Sequence, residues 1–261
     1  MRVIDLSSTI ENIAVSPVDQ VSIEYQDHAA GAAAVEGMMG VPRALLRDGE
    51  GWAVETIRQL STHGSTHVDA PWHYNSRIQG KPAQTIDQLP LEWFFGDGVK
   101  LDMRHKADGN AMTAADAQAA IALAKHTLKP GDIVLVQTGC DRFYGQPDYM
   151  AHGCGVTAEA TRWLYERGVR VMGIDAWGWD RPLHLQAAEA IANQLTGIFW
   201  EAHQCDLGYS QIERLVNLAA LPATGFQVAC FPLKIKGASA APARVVAIIG
   251  NPWKAGASVN V

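Results

Sequence analysis

The order of apolar and polar positions divides the chain into short elements. Val3–Leu6 reads as an opening strand, and Ile23–Gly40, rich in Ala and Gly, as loop or weak helix over the surface. Trp52–Leu60 alternates and predicts a strand that continues towards Ser65–Asp69, and Gly98–Asp102 predicts another. Thr113 stands where a helix N-cap is expected, with Asp116 three residues on in a capping-box position. Ala117, Ile121, Ala124 and Leu128 then recur at helical spacing until Lys129-Pro130-Gly131-Asp132 ends the run. The apolar stretch Ile133–Gln137 predicts a buried strand. A second helix is expected from Thr157 to Arg167, with Ala160, Trp163 and Leu164 as its buried stripe, stopped by Gly168. Val169–Ile174 follows as a strand, Leu185–Leu195 as a helix, Ile198–Ala202 as extended chain and Ile212–Leu218 as a short helix. Phe226–Ile235 and Ala243–Ile249 read as long apolar strands, and Pro232 inside the first marks an edge or a bulge.

Strands separated by helices, with no repeat and no Ser/Pro-rich linker, predict a single α/β domain over residues 1–261. Composition narrows the picture. Hydrophobic residues make up 48% of 261, enough for a large core and too many for a disordered chain. The formal net charge of −6 argues against a nucleic-acid partner. Apolar stretches such as Val245–Gly250 are far short of the roughly 20 residues a membrane span needs. The start, Met1-Arg2-Val3-Ile4-Asp5, does not read as a signal peptide. Four scattered cysteines without a CxxC pair suit reduced thiols, so a cytoplasmic protein is expected.

The chemistry concentrates in His63-Gly64-Ser65-Thr66-His67-Val68-Asp69-Ala70-Pro71-Trp72-His73. His63, His67, Asp69 and His73 are all odd-numbered, so an extended or looping segment can bring them to one face. A helix would rotate Asp69 away from His63 and His67, and Gly64 and Pro71 oppose one. Imidazoles with a carboxylate suit Zn²⁺, Mn²⁺ or Fe²⁺ with positions left open. Such a cation polarises a carbonyl and acidifies bound water. His73, beyond the Pro71 turn, is a fourth ligand or the base that handles the water's proton. A lone histidine is more often a surface or packed residue, which is the reading for His28, His105, His126 and His152. Four such groups within one short segment are a different matter.

These residues resemble the cyclase-like metal-dependent hydrolases, a family that includes bacterial kynurenine formamidase and isatin hydrolase. The family's HGTHxDAPxH segment is matched by His63–His73, differing at Ser65. Ile4-Asp5-Leu6-Ser7, Gly131–Leu135 with Thr138-Gly139, Gly173-Ile174-Asp175-Ala176-Trp177, Phe231–Lys234 and Ala241–Arg244 match as well, across nearly the whole chain. The resemblance implies a swivelling β/β/α fold with a mixed sheet and a homo-oligomer, dimer or tetramer. It implies His63, His67 and Asp69 as ligands of Mn or Zn, and His73 as general acid/base. Some members hold a second metal through a downstream His and Glu, for which His203 and Glu213 are the candidates. Alternatively His203 with Gln204 or Gln211 positions water. The competing reading of Glu213 is an acid on a helix surface.

Eight tryptophans are many for this length. Most buried tryptophans are core. Trp72, Trp177, Trp179 and Trp200, however, lie in or near the matched segments and would wall a flat aromatic substrate. The Asp175–Asp180 stretch looks most like the isatin-hydrolase branch. The expected activity is therefore hydrolysis of a small cyclic or aryl amide. Arylformamidase, polyketide-type cyclase or dehydratase, and a non-enzymatic metal-binding protein are the alternatives.

Overall fold

The structure, a computed structural model, describes residues 1–12 and 20–250. Its contacts form two compact units, Met1–Thr9 with Ser65–Val261, and Ile10–Gly64. The first is built on a nine-stranded mixed sheet. From one edge to the other its strands are Arg2–Asp5, Val246–Ile249, Phe226–Ala229, Phe95–Asp102, Ile133–Gln137, Val171–Ile174, Ser210–Glu213, His67–Asp69 and Ala240–Pro242. The four strands from Phe95–Asp102 to Ser210–Glu213 run parallel, and antiparallel strands flank them on both sides. This is the expected α/β class with a mixed sheet.

Ile133–Gln137 lies at the middle and is buried along its whole length. Val134 and Val136 pack on one face with Val99, Leu101, Met172 and Ile174. Ile133 and Leu135 pack on the other with Val171, Ile212, Phe226 and Val228. Two-sided burial is why this strand reads as a continuous apolar run. On the first face lie the helices Ala114–Leu123 and Ala158–Glu166, anchored by Ala117, Ile121, Ala160 and Leu164. Thr161, not Trp163, completes the buried stripe of the second. Gly98 faces Phe226 across the sheet, where a Cβ would stand 2.0 Å from the ring, so only glycine allows that ring its place.

Several elements depart from the expected ones. Ile23–Gly40 holds the end of a strand, Val21–Gln26, and an ordered helix, His28–Met39. The strand pairs antiparallel with Val54–Leu60. Gly31 of that helix has no room for a side chain, because a Cβ there would meet the Trp52 carbonyl oxygen at 1.8 Å. Ile198–Ala202 is a series of turns, not extended chain. Ile212 belongs to the strand Ser210–Glu213, not to a helix, and a 3-10 turn follows only at Leu218–Ala220. The long strand expected over Phe226–Ile235 ends at Ala229, and Pro232 makes an isolated bridge to Ala243.

The chain leaves the first unit near Ser8 and re-enters it near Thr66, and these two residues are bonded to each other. The Ser8 amide donates to Thr66 Oγ1 (2.8 Å), and the Thr66 amide donates to Ser8 Oγ (2.9 Å).

The capping box at Thr113 is formed on both sides. Burial opposes ionisation of Asp116. The Lys106 ammonium at 2.7 Å and the Thr113 donors outweigh it, holding the carboxyl at about 2. A group depressed from 3.8 adds stability above that pH and loses it as pH falls towards 2. Asp116→Asn should therefore destabilise the protein by about 1 kcal/mol at neutral pH. Denaturant unfolding should show the gap to wild type closing below about pH 4.

Candidate metal and catalytic site

The last three strands of the sheet carry the site. His67 and Asp69 lie two apart on one strand and so share a face. Antiparallel pairing sets His67 directly opposite Glu213, and Asp69 opposite Gln211. All four side chains are buried. His67 Nδ1 lies 2.6 Å from the Ser65 carbonyl oxygen, which only accepts, so Nδ1 carries the hydrogen. Nε2 lies 3.3 Å from Asp69 Oδ1 and 3.6 Å from Glu213 Oε2. One ligand atom from each of His67, Asp69 and Glu213 lies within 4.8 Å of the other two. Ligand atoms gathered this closely in a buried place are an arrangement that a cation can bridge. The donor set, one imidazole nitrogen and carboxylate oxygens, is one that Zn²⁺ or Mn²⁺ accepts.

Behind this group stands His203. Its Nδ1 is 2.5 Å from Asp180 Oδ2 and its Nε2 3.4 Å from Glu213 Oε1. Burial works against the charged imidazole, yet the two carboxylates outweigh it and raise His203 to about 10. For Glu213, burial and the nearby Asp69 carboxylate push the pKa up. The His203 and His67 rings more than offset them, and the carboxyl sits below its ordinary value. Glu213 Oε1 also accepts the Trp179 backbone N–H at 2.9 Å. Asp180 is the hub of the neighbouring loop, since it also accepts the amides of Ala202 (2.9 Å) and His203 (3.1 Å).

Extended geometry ends at Asp69. Pro71 opens a one-turn helix, Pro71–Tyr74, and this turn places the half-buried His73. The His73 ring lies 5.8 Å from His203 and meets Trp200 edge-on at 5.0 Å. Trp200 stacks on His203 at 4.5 Å with the planes 13° apart. Tyr74 closes another side, 5.3 Å from His203 and 5.2 Å from Tyr209. Its burial drives the phenol pKa well up, so it stays neutral. Gln211 Nε2 donates to Tyr209 Oη, which donates in turn to the Ala202 carbonyl.

The structure thus brings together His67, Asp69, Glu213, His203, His73 and Trp200. His63 is the last residue but one of the Ile10–Gly64 unit, two before Ser65. Three expectations are corrected. Glu213 is a buried strand residue, not an acid on a helix surface. Gln204 is exposed, and the buried glutamine beside Asp69 is Gln211. Trp179 is fully buried with its indole N–H on Thr161 Oγ1 (2.9 Å), so its ring has no surface to offer a substrate. Trp72 is exposed, and Trp177 is half-buried with the Arg214 guanidinium 4.9 Å from its ring. Asp175, in a matched segment, is a staple between strands, with its carboxylate accepting from Thr138 N and Oγ1 and from Gly139 N.

Comparison with known proteins gives the family and the fold. A family described as "Putative cyclase" matches residues 4–181. The kynurenine formamidase of Salinibacter ruber is 28% identical over 197 residues, 72% of this chain and 76% of the relative. Isatin hydrolase A of Ralstonia solanacearum superposes with a TM-score of 0.74 at 25% identity, covering 95% of this chain and 92% of that one. Isatin hydrolase A of Labrenzia aggregata, bound to benzyl benzoate, gives 0.72 at 25% identity, with 96% and 94% covered.

Removing Asp180 leaves two buried amides and the His203 imidazolium without their acceptor. Asp180→Ala should destabilise the metal-free protein by about 3–5 kcal/mol. Asp180→Asn, which keeps one acceptor oxygen, should lose less. Chemical denaturation of both variants after chelation measures the difference.

Proposed function

The chain belongs to this cyclase family, and from that premise we propose that it is a metal-dependent hydrolase that cleaves the C–N bond of a small cyclic or aryl amide, isatin-like in chemistry. The observation that carries the reading is the buried convergence of His67 Nε2 with the Asp69 and Glu213 carboxylates, next to a half-buried His73. His63, His67 and Asp69 are assigned as the ligands of a Zn or Mn ion. A bound divalent cation supplies Lewis acidity for a carbonyl and lowers the pKa of a water.

The remaining work falls to side chains. The Ser65 carbonyl holds His67 in the tautomer that presents Nε2. His73 is assigned as the acid/base that passes a proton to the leaving nitrogen. His203 and Glu213 are assigned to orient the attacking water. Both His203 nitrogens face carboxylates, Nδ1 that of Asp180 and Nε2 that of Glu213. Trp72, Trp177 and Trp200 are assigned to the aromatic wall of the pocket. The four buried free cysteines suit a reducing cytoplasmic setting, and a homo-oligomer accompanies the reading through the family resemblance. The formamidase relative supports a second substrate, an open formanilide, cleaved by the same groups.

Purified protein should open isatin-like cyclic amides with the mass gain of one water, or cleave formanilides to the free aniline and formate. Chelation should abolish turnover, and Zn or Mn should restore it. Hydrolysis indifferent to chelation would overturn the assignment, and loss of water from a hydroxylated substrate would indicate a dehydratase instead. Among variants, His67→Ala should lose metal and activity together. His73→Ala should keep its metal and lose about 10²–10⁴ in kcat. Metal analysis showing that His73→Ala is metal-free would make His73 a ligand.

A further inference from the structure

The helix Leu183–Asn193 buries one residue, and that residue is polar. Gln186 is 1% exposed, whereas Leu185 and Ile191 on the same helix face outward. A buried amide is tolerated when its hydrogen bonds are made. Both ends of Gln186 are used. Its Nε2 donates to the Arg181 carbonyl, and its Oε1 accepts the Trp200 backbone N–H at 2.7 Å.

Trp200 is held in an unusual state. Its φ is +62°, a left-handed conformation that a bulky side chain rarely adopts. Such conformations persist where surrounding bonds over-determine them. Here the Trp200 N–H is taken by Gln186, and its carbonyl accepts the Gln204 amide at 2.9 Å. Two residues on, Asp180 takes the amides of Ala202 and His203. The conformation lays the indole flat on His203 and against the edge of His73, with the ring only partly covered.

We propose that Gln186 is a positioning residue for substrate specificity: by fixing the Trp200 main chain it sets the indole as the platform on which a planar aromatic ring lies beside His73. The inference rests on the hydrolase reading for the reaction, but not for the recognition of a flat ring. It assigns the substrate class as aromatic amides, in preference to saturated analogues of the same size.

Two readouts test it on the full-length protein. One is calorimetric binding of 2-aminobenzoate against its saturated counterpart, 2-aminocyclohexanecarboxylate. The other is the KM and kcat of a formanilide against an N-formylcyclohexylamine. Gln186→Met removes both hydrogen bonds at nearly constant volume. Gln186→Glu keeps an acceptor for the Trp200 N–H. Trp200→Ala removes the platform. Wild type should favour the flat ring, and Trp200→Ala should erase about tenfold of that preference. Gln186→Met should erase a similar share through KM, with kcat changed much less, and Gln186→Glu should recover most of it.

If Gln186→Met and Gln186→Glu are equally impaired, or flat and saturated ligands weaken alike, Gln186 only holds the fold together and the proposal fails. It fails as well if Trp200→Ala keeps the wild-type preference. Should Gln186→Met not fold, Gln186→Glu and Trp200→Ala still decide, since the first must keep and the second must lose the ring preference. Ring-selective binding without amide turnover by wild type would remove the hydrolase reading and leave this one standing. Turnover whose ring preference ignores both Trp200 and Gln186 would do the reverse.

Discussion

Everything in the site depends on one register, the antiparallel pairing of His67–Asp69 with Ser210–Glu213. A slip by one residue would turn each side chain to the opposite face of the sheet. Val68 and Ile212, which lie between the polar pairs, are packed in the apolar cluster behind the sheet. That burial fixes the register, and the register in turn sets a carboxylate beside an imidazole. The hydrophobic core is therefore what specifies the spacing of the polar groups. One parallel strand of the same sheet, Val171–Ile174, ends in the loop that supplies Asp175, Asp180 and the Trp179 amide.

Charge is arranged around that pair in layers. Two buried carboxyl groups, Asp69 and Glu213, face the His67 imidazole, and a second pair, Asp180 with the His203 imidazolium, stands behind. The rear pair makes its own hydrogen bonds and can stay buried without an ion. The front group sets an imidazole nitrogen and two carboxylate oxygens within 4.8 Å of one another, a donor set that a divalent cation accepts.

Much of this was legible in the sequence because it is local. The His63–His73 spacing pointed to His67 and Asp69 on one face, and their strand confirms the alternation. The capping box at Thr113 and the buried strand Ile133–Gln137 were also local signals. What escaped depends on tertiary contact. Ile212–Leu218 reads like a short helix, because Ile212 and Leu215 are three apart and nothing nearby announces the strands on either side of Ser210–Glu213. Glu213 therefore looked like a surface acid. Asp180 sits in a segment noticed for its tryptophans, and its three hydrogen bonds reach residues more than twenty positions on. Trp179 shows the converse: its ring belongs to the core while its main-chain N–H serves the site.

The reciprocal Ser8–Thr66 bonds have a consequence for how such a chain can vary. They bring the exit and the return of the Ile10–Gly64 segment to neighbouring points within the first unit. Closing a longer or shorter loop between fixed, adjacent ends changes the conformational entropy only slowly with length. Evolution can thus exchange the inserted piece as a cassette while the nine-stranded sheet and its buried donors stay as they are. His63, the last side chain before the return, travels with the cassette and not with the sheet. Descendants of this architecture can accordingly diversify in that segment while inheriting the buried face of the sheet unchanged.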